Sequence, residues 1–145
     1  MKLTRQSNYA IRTLIYCAVN DPQLSRIGDI AKAHGISELF LFKLIKPLVE
    51  NGLLQTVRGR HGGIRLGRPA SDITLLDTIR LTEENFAMAE CFEGGEVACP
   101  LADNCDVNAA LREALRVALA QWSQEPVLAD QERIRIDIYL KDNLP

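Results

Sequence analysis

With 145 residues, 47% of them apolar and 25% charged, the chain has the composition of one compact folded unit, and neither wholesale disorder nor a disulfide scaffold is expected. No run approaches the roughly 18 to 20 apolar residues that cross a bilayer, and Asn8 and Arg12 interrupt the first apolar stretch, so neither a membrane span nor a secretory leader is expected. The formal charge of −2 conceals an asymmetry: residues 1–70 hold 11 Lys and Arg against 4 Asp and Glu, a net of +7, whereas residues 71–145 hold 6 against 15, a net of −9. A basic first half suits a phosphate-binding surface; an acidic second half is repelled from nucleic acid and must serve another purpose.

Along the chain, Ile11, Leu14, Ile15 and Ala18 recur at helical spacing until Asn20, Asp21 and Pro22 read as a turn. A short second helix is expected over residues 25–34, with Ile27, Ile30 and Ala31 inward and Gly35 ending it in the left-handed conformation. Ser37 then caps a third helix whose inner stripe is Leu41, Leu44, Ile45 and Leu48. Two short helices joined at Gly35 and Ile36 have the spacing of a helix-turn-helix, whose second member enters the major groove. Pro47 removes one hydrogen bond and crowds the preceding turn, so a kink is expected there that leaves the first turns usable.

Residues 53–57 and 64–66 read as two strands around the basic, glycine-rich tip Arg58-Gly59-Arg60-His61-Gly62-Gly63, a β-hairpin wing closed by Pro69. Thr74 can cap a short helix with Leu75, Leu76 and Ile79, after which residues 83–106 show no sustained period. Helical spacing returns over residues 107–124, with Val107, Leu111, Ala114, Leu115, Ala118 and Trp122 on one face and Pro126 ending it, and residues 128–140 read as a final short helix. The expected fold is mainly α. A winged helix-turn-helix with a two-stranded wing occupies residues 1–70, a connecting helix and cysteine loop 71–106, and a long helix with a C-terminal segment 107–145.

Two constellations carry chemistry. Arg58, Arg60, His61 and Arg65 on the wing, with Lys43 and Lys46 on the polar side of the third helix, can neutralise phosphates of a double-stranded DNA partner. Ser37, Glu38 and Phe40 stand where side chains reach base edges, Glu38 as an acceptor for cytosine and Phe40 against a thymine methyl; Ser37 is equally suited to capping alone and Phe40 to core packing. The second set is Cys91, Cys99 and Cys105, spaced C-x7-C-x5-C with a glycine pair and a Cys-Pro step between them. Thiolates suit iron-sulfur centres in a reducing cytoplasm. Zinc is disfavoured because close cysteine pairs and a fourth ligand are missing, and three metal-free redox thiols remain an alternative. Cys17 reads as core filler, and His34 and His61 as surface or phosphate-contacting groups. No enzyme signature and no small-molecule substrate site is found.

Leu3-Thr4, Tyr9-Ala10, Gly35-Ile36-Ser37, Gly52-Leu53, Val57-Arg58-Gly59, Gly62-Gly63-Ile64-Arg65-Leu66-Gly67 and three cysteines before a long helix together resemble the winged-helix iron-sulfur regulators, the family of IscR, NsrR and RirA. Ser37-Glu38-Leu39-Phe40-Leu41-Phe42-Lys43, Phe86-Ala87-Met88-Ala89-Glu90-Cys91-Phe92 and the cysteine spacing look most like its rhizobial iron regulators. The resemblance implies a homodimer whose long helices cross, so that two winged modules address a near-palindromic operator, and the Val107 to Trp122 stripe, longer than one small domain needs, is expected to be buried between the subunits. It also implies a 4Fe-4S cluster on Cys91, Cys99 and Cys105 that controls DNA binding, with repression of iron-uptake genes as the expected output. Asn108 and Asn8 stand where other members have a histidine or an acidic ligand, so the fourth iron is expected to be open or weakly held. A nitric oxide or redox signal is the alternative within the family. An electron-transfer or cluster-delivery protein whose winged helix meets no DNA is the alternative outside it.

Overall fold

The computed structural model describes residues 3–84 and 106–126. Among these the order is α1 (Arg5–Asn20), α2 (Ile27–His34), α3 (Glu38–Glu50), β1 (Leu54–Val57), β2 (Gly63–Leu66), α4 (Leu75–Thr82) and α5 (Asp106–Trp122). The mainly α class with a two-stranded wing is therefore the one found. The final helix expected over 128–140 lies outside the described residues.

Thr4 opens α1, its hydroxyl accepting the Ser7 N–H at 3.3 Å, because a first-turn N–H has no acceptor within its own helix. α2 starts two residues later than its periodicity suggests, because Ser25 is engaged by the wing. Its N–H donates to the Ile64 carbonyl and its carbonyl accepts from the Ile64 N–H, both at 2.9 Å, which makes it a one-residue third strand beside β2. Gly35 closes α2 at φ 61°, the left-handed geometry that glycine adopts without steric penalty. Ser37 caps α3, accepting the Phe40 N–H at 3.2 Å. The helix runs through Pro47 to Glu50, and beyond it the Asn51 N–H again finds the Pro47 carbonyl at 3.1 Å.

The core forms where three helices and the wing converge. Ala10, Leu14 and Cys17 of α1, Ile30 and Ala31 of α2, and Leu41, Leu44, Ile45 and Leu48 of α3 join Leu53, Leu54, Ile64 and Ile73 in one buried cluster. Fully burying an aliphatic side chain of this size contributes about 1.5 to 3 kcal/mol, so this cluster fixes the helix-turn-helix angle and the seat of the wing together. β1 and β2 pair antiparallel with Gln55 opposite Arg65 and Thr56 opposite Ile64. The packing continues past the wing, since Ile73 belongs to the same cluster and α4 lies against α1 and α3.

α4 begins with a reciprocal cap: Thr74 Oγ1 accepts the Asp77 N–H at 3.1 Å while Asp77 Oδ2 accepts the Thr74 N–H at 3.0 Å. Its contact with α1 buries small polar residues, and each is satisfied: the Ser7 and Thr82 hydroxyls lie 2.7 Å apart, and Thr82 Oγ1 donates to the Thr78 carbonyl at 3.0 Å. α5 returns to the start of α4 through the Leu75 N–H and the Glu125 carbonyl, 2.9 Å apart. Leu111, Leu115, Ala118, Leu119 and Trp122 of α5 are half-buried, whereas Val107, Ala110, Ala114 and Val117 are exposed.

Candidate nucleic-acid interface

With Leu41, Leu44, Ile45 and Leu48 directed into the core, a rotation of 100° per residue places Leu39, Phe42, Lys43 and Lys46 on the opposite side of α3. All four are exposed. Ser37 is exposed but its oxygen is committed to the helix cap. Glu38 is exposed in the first turn and lies over α2, where a Cβ added to Gly28 would stand 3.3 Å from Glu38 Oε1.

Phe40 lies on the flank of α3 beside α1. It is half-buried, with its ring edge-on to Tyr9 at 5.8 Å between centroids, and the Arg5 guanidinium lies 6.0 Å over it. Of the two roles open to Phe40 in the sequence, packing is the one its surroundings describe. The apolar side chains on the outward face are Leu39 and Phe42, which residue type alone did not single out; the helical phase of the core stripe is the signal that finds them. His34 also differs from expectation. It is half-buried between Tyr9 and Tyr16, at centroid distances of 6.5 and 6.1 Å, and its Nε2 is buried with no hydrogen-bond partner. Burial first, and then the nearby Arg12 charge, lower its pKa, so it acts as a packing residue rather than a phosphate contact.

The wing presents Arg58, Arg60, His61 and Arg65 to solvent. Arg65 is steadied across the ladder, its Nε donating to Gln55 Oε1 at 2.9 Å. The tip admits no bulk: a Cβ on Gly62 would lie 2.3 Å from the Val57 carbonyl oxygen, and one on Gly63 would lie 2.7 Å from that of Ser25. The sequence-selected cations therefore sit on a tightly folded hairpin that the Ser25–Ile64 pairing fastens to the front of α2. Lys43 follows on the exposed face of α3, which leads directly into β1.

Cys91, Cys99 and Cys105 lie outside the described residues. Among the described residues no group of three or more His, Cys, Asp or Glu could hold a metal ion. Cys17 is buried, and desolvation pushes its thiol up to about 12 despite a hydrogen bond with Ser25, so it is a core residue and no ligand. Glu83 lies just before the cysteine segment and reaches the start of α1. Its Oε1 accepts the Thr4 N–H at 2.8 Å, the Thr4 hydroxyl at 3.0 Å and the Ser7 hydroxyl. No helix among the described residues is long and apolar enough to cross a membrane.

Residues 3–125 match the family model Rrf2, described as iron-dependent transcriptional regulators. The chain is 64% identical over 115 residues to Protein aau3 of Rhizobium meliloti strain 1021, spanning 79% of this chain and 75% of that protein. It is 40% identical over 121 residues to the HTH-type transcriptional regulator NsrR of Bacillus subtilis strain 168, covering 83% of each. Among solved structures it is similar to CymR, the global cysteine regulator of B. subtilis, with a TM-score of 0.68 and 25% identity over 88% of this chain and 93% of that one.

Proposed function

The chain belongs to the Rrf2 family of DNA-binding transcription regulators, which are not enzymes, and we propose that it is a cytoplasmic iron-responsive repressor of iron-uptake genes governed by an iron-sulfur cluster. Cys91, Cys99 and Cys105 would hold the cluster, a 4Fe-4S cube with an open or weakly held fourth site. The observation that carries this reading is the state of Cys17. Its burial and raised pKa withdraw it from ligation, leaving the three thiols of the acidic half as the chain's remaining soft donors. When bound, the cluster supplies a centre whose persistence depends on iron.

The chain's own residues supply a route from that segment to the DNA-binding module. Glu83 ties the beginning of the cysteine segment to the cap of α1, and α5 follows directly on Cys105. A rearrangement on cluster loss would have these two ends through which to reach the helix that carries the core and the long helix. For the homodimer, the expected stripe shifts, because its members Leu111, Leu115, Ala118 and Trp122 are half-buried within the chain, while the exposed Val107, Ala110, Ala114 and Val117 fall at alternating steps of three and four, the spacing of a helix-to-helix seam. A two-fold pair would present two winged modules to a near-palindromic duplex, with Lys43, Arg58, Arg60, His61 and Arg65 on phosphates and Ser37 and Glu38 at the start of the reading helix. DNA binding then follows the population of a dimer geometry that the cluster favours.

In protein purified without air, an iron chelator should abolish visible cluster absorption and operator binding together. Binding that survives complete cluster loss rejects the mechanism. A nitric oxide or redox signal is a second reading, favoured by the identity to NsrR regulators. Rates of cluster loss under low iron and under nitric oxide separate the two. A cluster carrier that binds no DNA would show almost no salt-dependent affinity for a mixed-sequence duplex.

A further inference from the structure

Resting on the DNA-binding reading above, we infer that Leu39 and Phe42 are the sequence-reading side chains of α3, and that they recognise the 5-methyl groups of thymine in the major groove. Leu39 is 68% exposed and Phe42 53% exposed, although both are large and apolar. A single exposed apolar side chain needs no explanation, but these two lie side by side on the outward face, one helical turn apart. Phe40 cannot share the task while its ring is packed against Tyr9 under the Arg5 guanidinium.

The surroundings select the occupant. Lys43 and Lys46 lie on the same exposed face, Lys46 with Glu50 at 3.9 Å, and residues 1–70 carry a net charge of +7, so the apolar spot has a cationic frame suited to the phosphates bordering a groove. Two side chains within such a frame are too few for the roughly 800 Å² per partner of a standard protein interface. The one apolar feature that base pairs present in the major groove is the thymine methyl, which aliphatic and aromatic side chains contact. Removing that methyl leaves every hydrogen-bonding group of the base in place, so apolar readout has a signature of its own.

The full-length chain, purified without air, is used to select its preferred duplex from a random-sequence pool, and each thymine is then replaced in turn by deoxyuridine. Replacement at one or two positions of each half-site should weaken binding about fourfold, equivalent to about 0.8 kcal/mol for one buried methyl-sized group. Leu39→Ala, Phe42→Ala and the more polar Leu39→Gln and Phe42→Gln should each lose discrimination at the thymine which that side chain contacts, and the double alanine variant should bind the thymine and deoxyuridine duplexes equally well, all with the salt slope and thermal unfolding of the parent. Indifference of the parent to every replacement, or discrimination that survives the double alanine variant, overturns the inference and leaves the DNA reading standing. Variants that alter self-association but not discrimination also overturn it, by identifying a protein contact. Absence of salt-dependent binding to any duplex overturns both.

Discussion

Glu83 and Thr4, 79 residues apart in the chain, meet where α4 ends and α1 begins: one carboxylate oxygen accepts both the Thr4 N–H at 2.8 Å and the Thr4 hydroxyl at 3.0 Å. The same oxygen accepts the Ser7 hydroxyl, and Ser7 in turn meets Thr82 at 2.7 Å in the buried α1–α4 seam. A negative charge at a helix N-terminus is favoured by the unpaired N–H groups there. The contact therefore stabilises α1 while anchoring the last turn before the cysteine segment.

Glu83→Ala should destabilise the fold by about 1 to 2 kcal/mol, the range for a lost cap and its charge-assisted bonds, and Glu83→Gln by less. Partial burial opposes ionisation of Glu83, but the bonds from Ser7 and Thr4 outweigh it and hold the carboxyl below its ordinary value. The stability it contributes is thus complete above the unfolded pKa of about 4.3 and is lost as pH falls through the lower folded value. In urea unfolding, the gap between parent and Glu83→Gln should narrow from pH 6 towards pH 3. A gap of constant size across that range would show that the ionised carboxylate is not its source.

At the wing, Gly63→Ala should lower thermal stability by about 1 to 3 kcal/mol, the usual penalty of forcing a methyl into occupied space. The added carbon would stand 2.7 Å from the Ser25 carbonyl oxygen, breaking the pairing that seats the hairpin. Arg60→Ala, on the exposed tip, should leave unfolding unchanged and reduce the salt slope of DNA binding by about 0.9. A stable Gly63→Ala variant that binds DNA normally would show that the Ser25–Ile64 seat does not orient the wing.

These residues also mark what was legible in the sequence. The Ser37 cap, the Gly35 terminator and the basic hairpin depend on neighbours a few positions away, and all appear where the sequence puts them. The displaced start of α2 depends on Ser25 pairing with Ile64, a contact between distant segments that local periodicity cannot encode. Phe40 and Phe42 stand on opposite flanks of α3 at similar angles from the core stripe, so which of them packs is decided by α1, whose Tyr9 meets Phe40 and whose Tyr9 and Tyr16 enclose His34, contacts that local spacing does not encode. Periodicity likewise marked the apolar width of α5 but not which part its own chain covers. Cys91, Cys99 and Cys105 lie outside the described residues, and their spacing speaks to thiolate chemistry rather than to geometry.

Cys17 should resist alkylation in the native protein, since only the thiolate reacts and burial holds the thiol near 12. Cys17→Ala should keep the parent's iron and sulfide content, whereas replacing Cys91, Cys99 and Cys105 together by Ser should abolish both. Mass spectrometry of the alkylated apo-protein checks the first expectation by counting three rapidly modified thiols before unfolding and four after. Loss of iron in Cys17→Ala, with unchanged thermal unfolding, would return Cys17 to the ligand set.

The seam on α5 can be separated from the fold of the monomer. Val107 is 67% exposed and Val117 50% exposed, with the exposed Ala110 and Ala114 between them, while the neighbouring face of the same helix is half-buried. Glutamate at either valine would bring like charges together across a two-fold seam and desolvate them there, yet would remain in water in a single chain. Val107→Glu and Val117→Glu should therefore leave the secondary structure intact and weaken self-association about tenfold or more, equivalent to at least about 1.4 kcal/mol. Leu115→Glu, aimed at the half-buried side, should instead lower the thermal stability of the chain. Sedimentation equilibrium across a range of concentrations distinguishes the cases: a dimer of unchanged affinity in both valine variants would mean that the two copies meet through another surface.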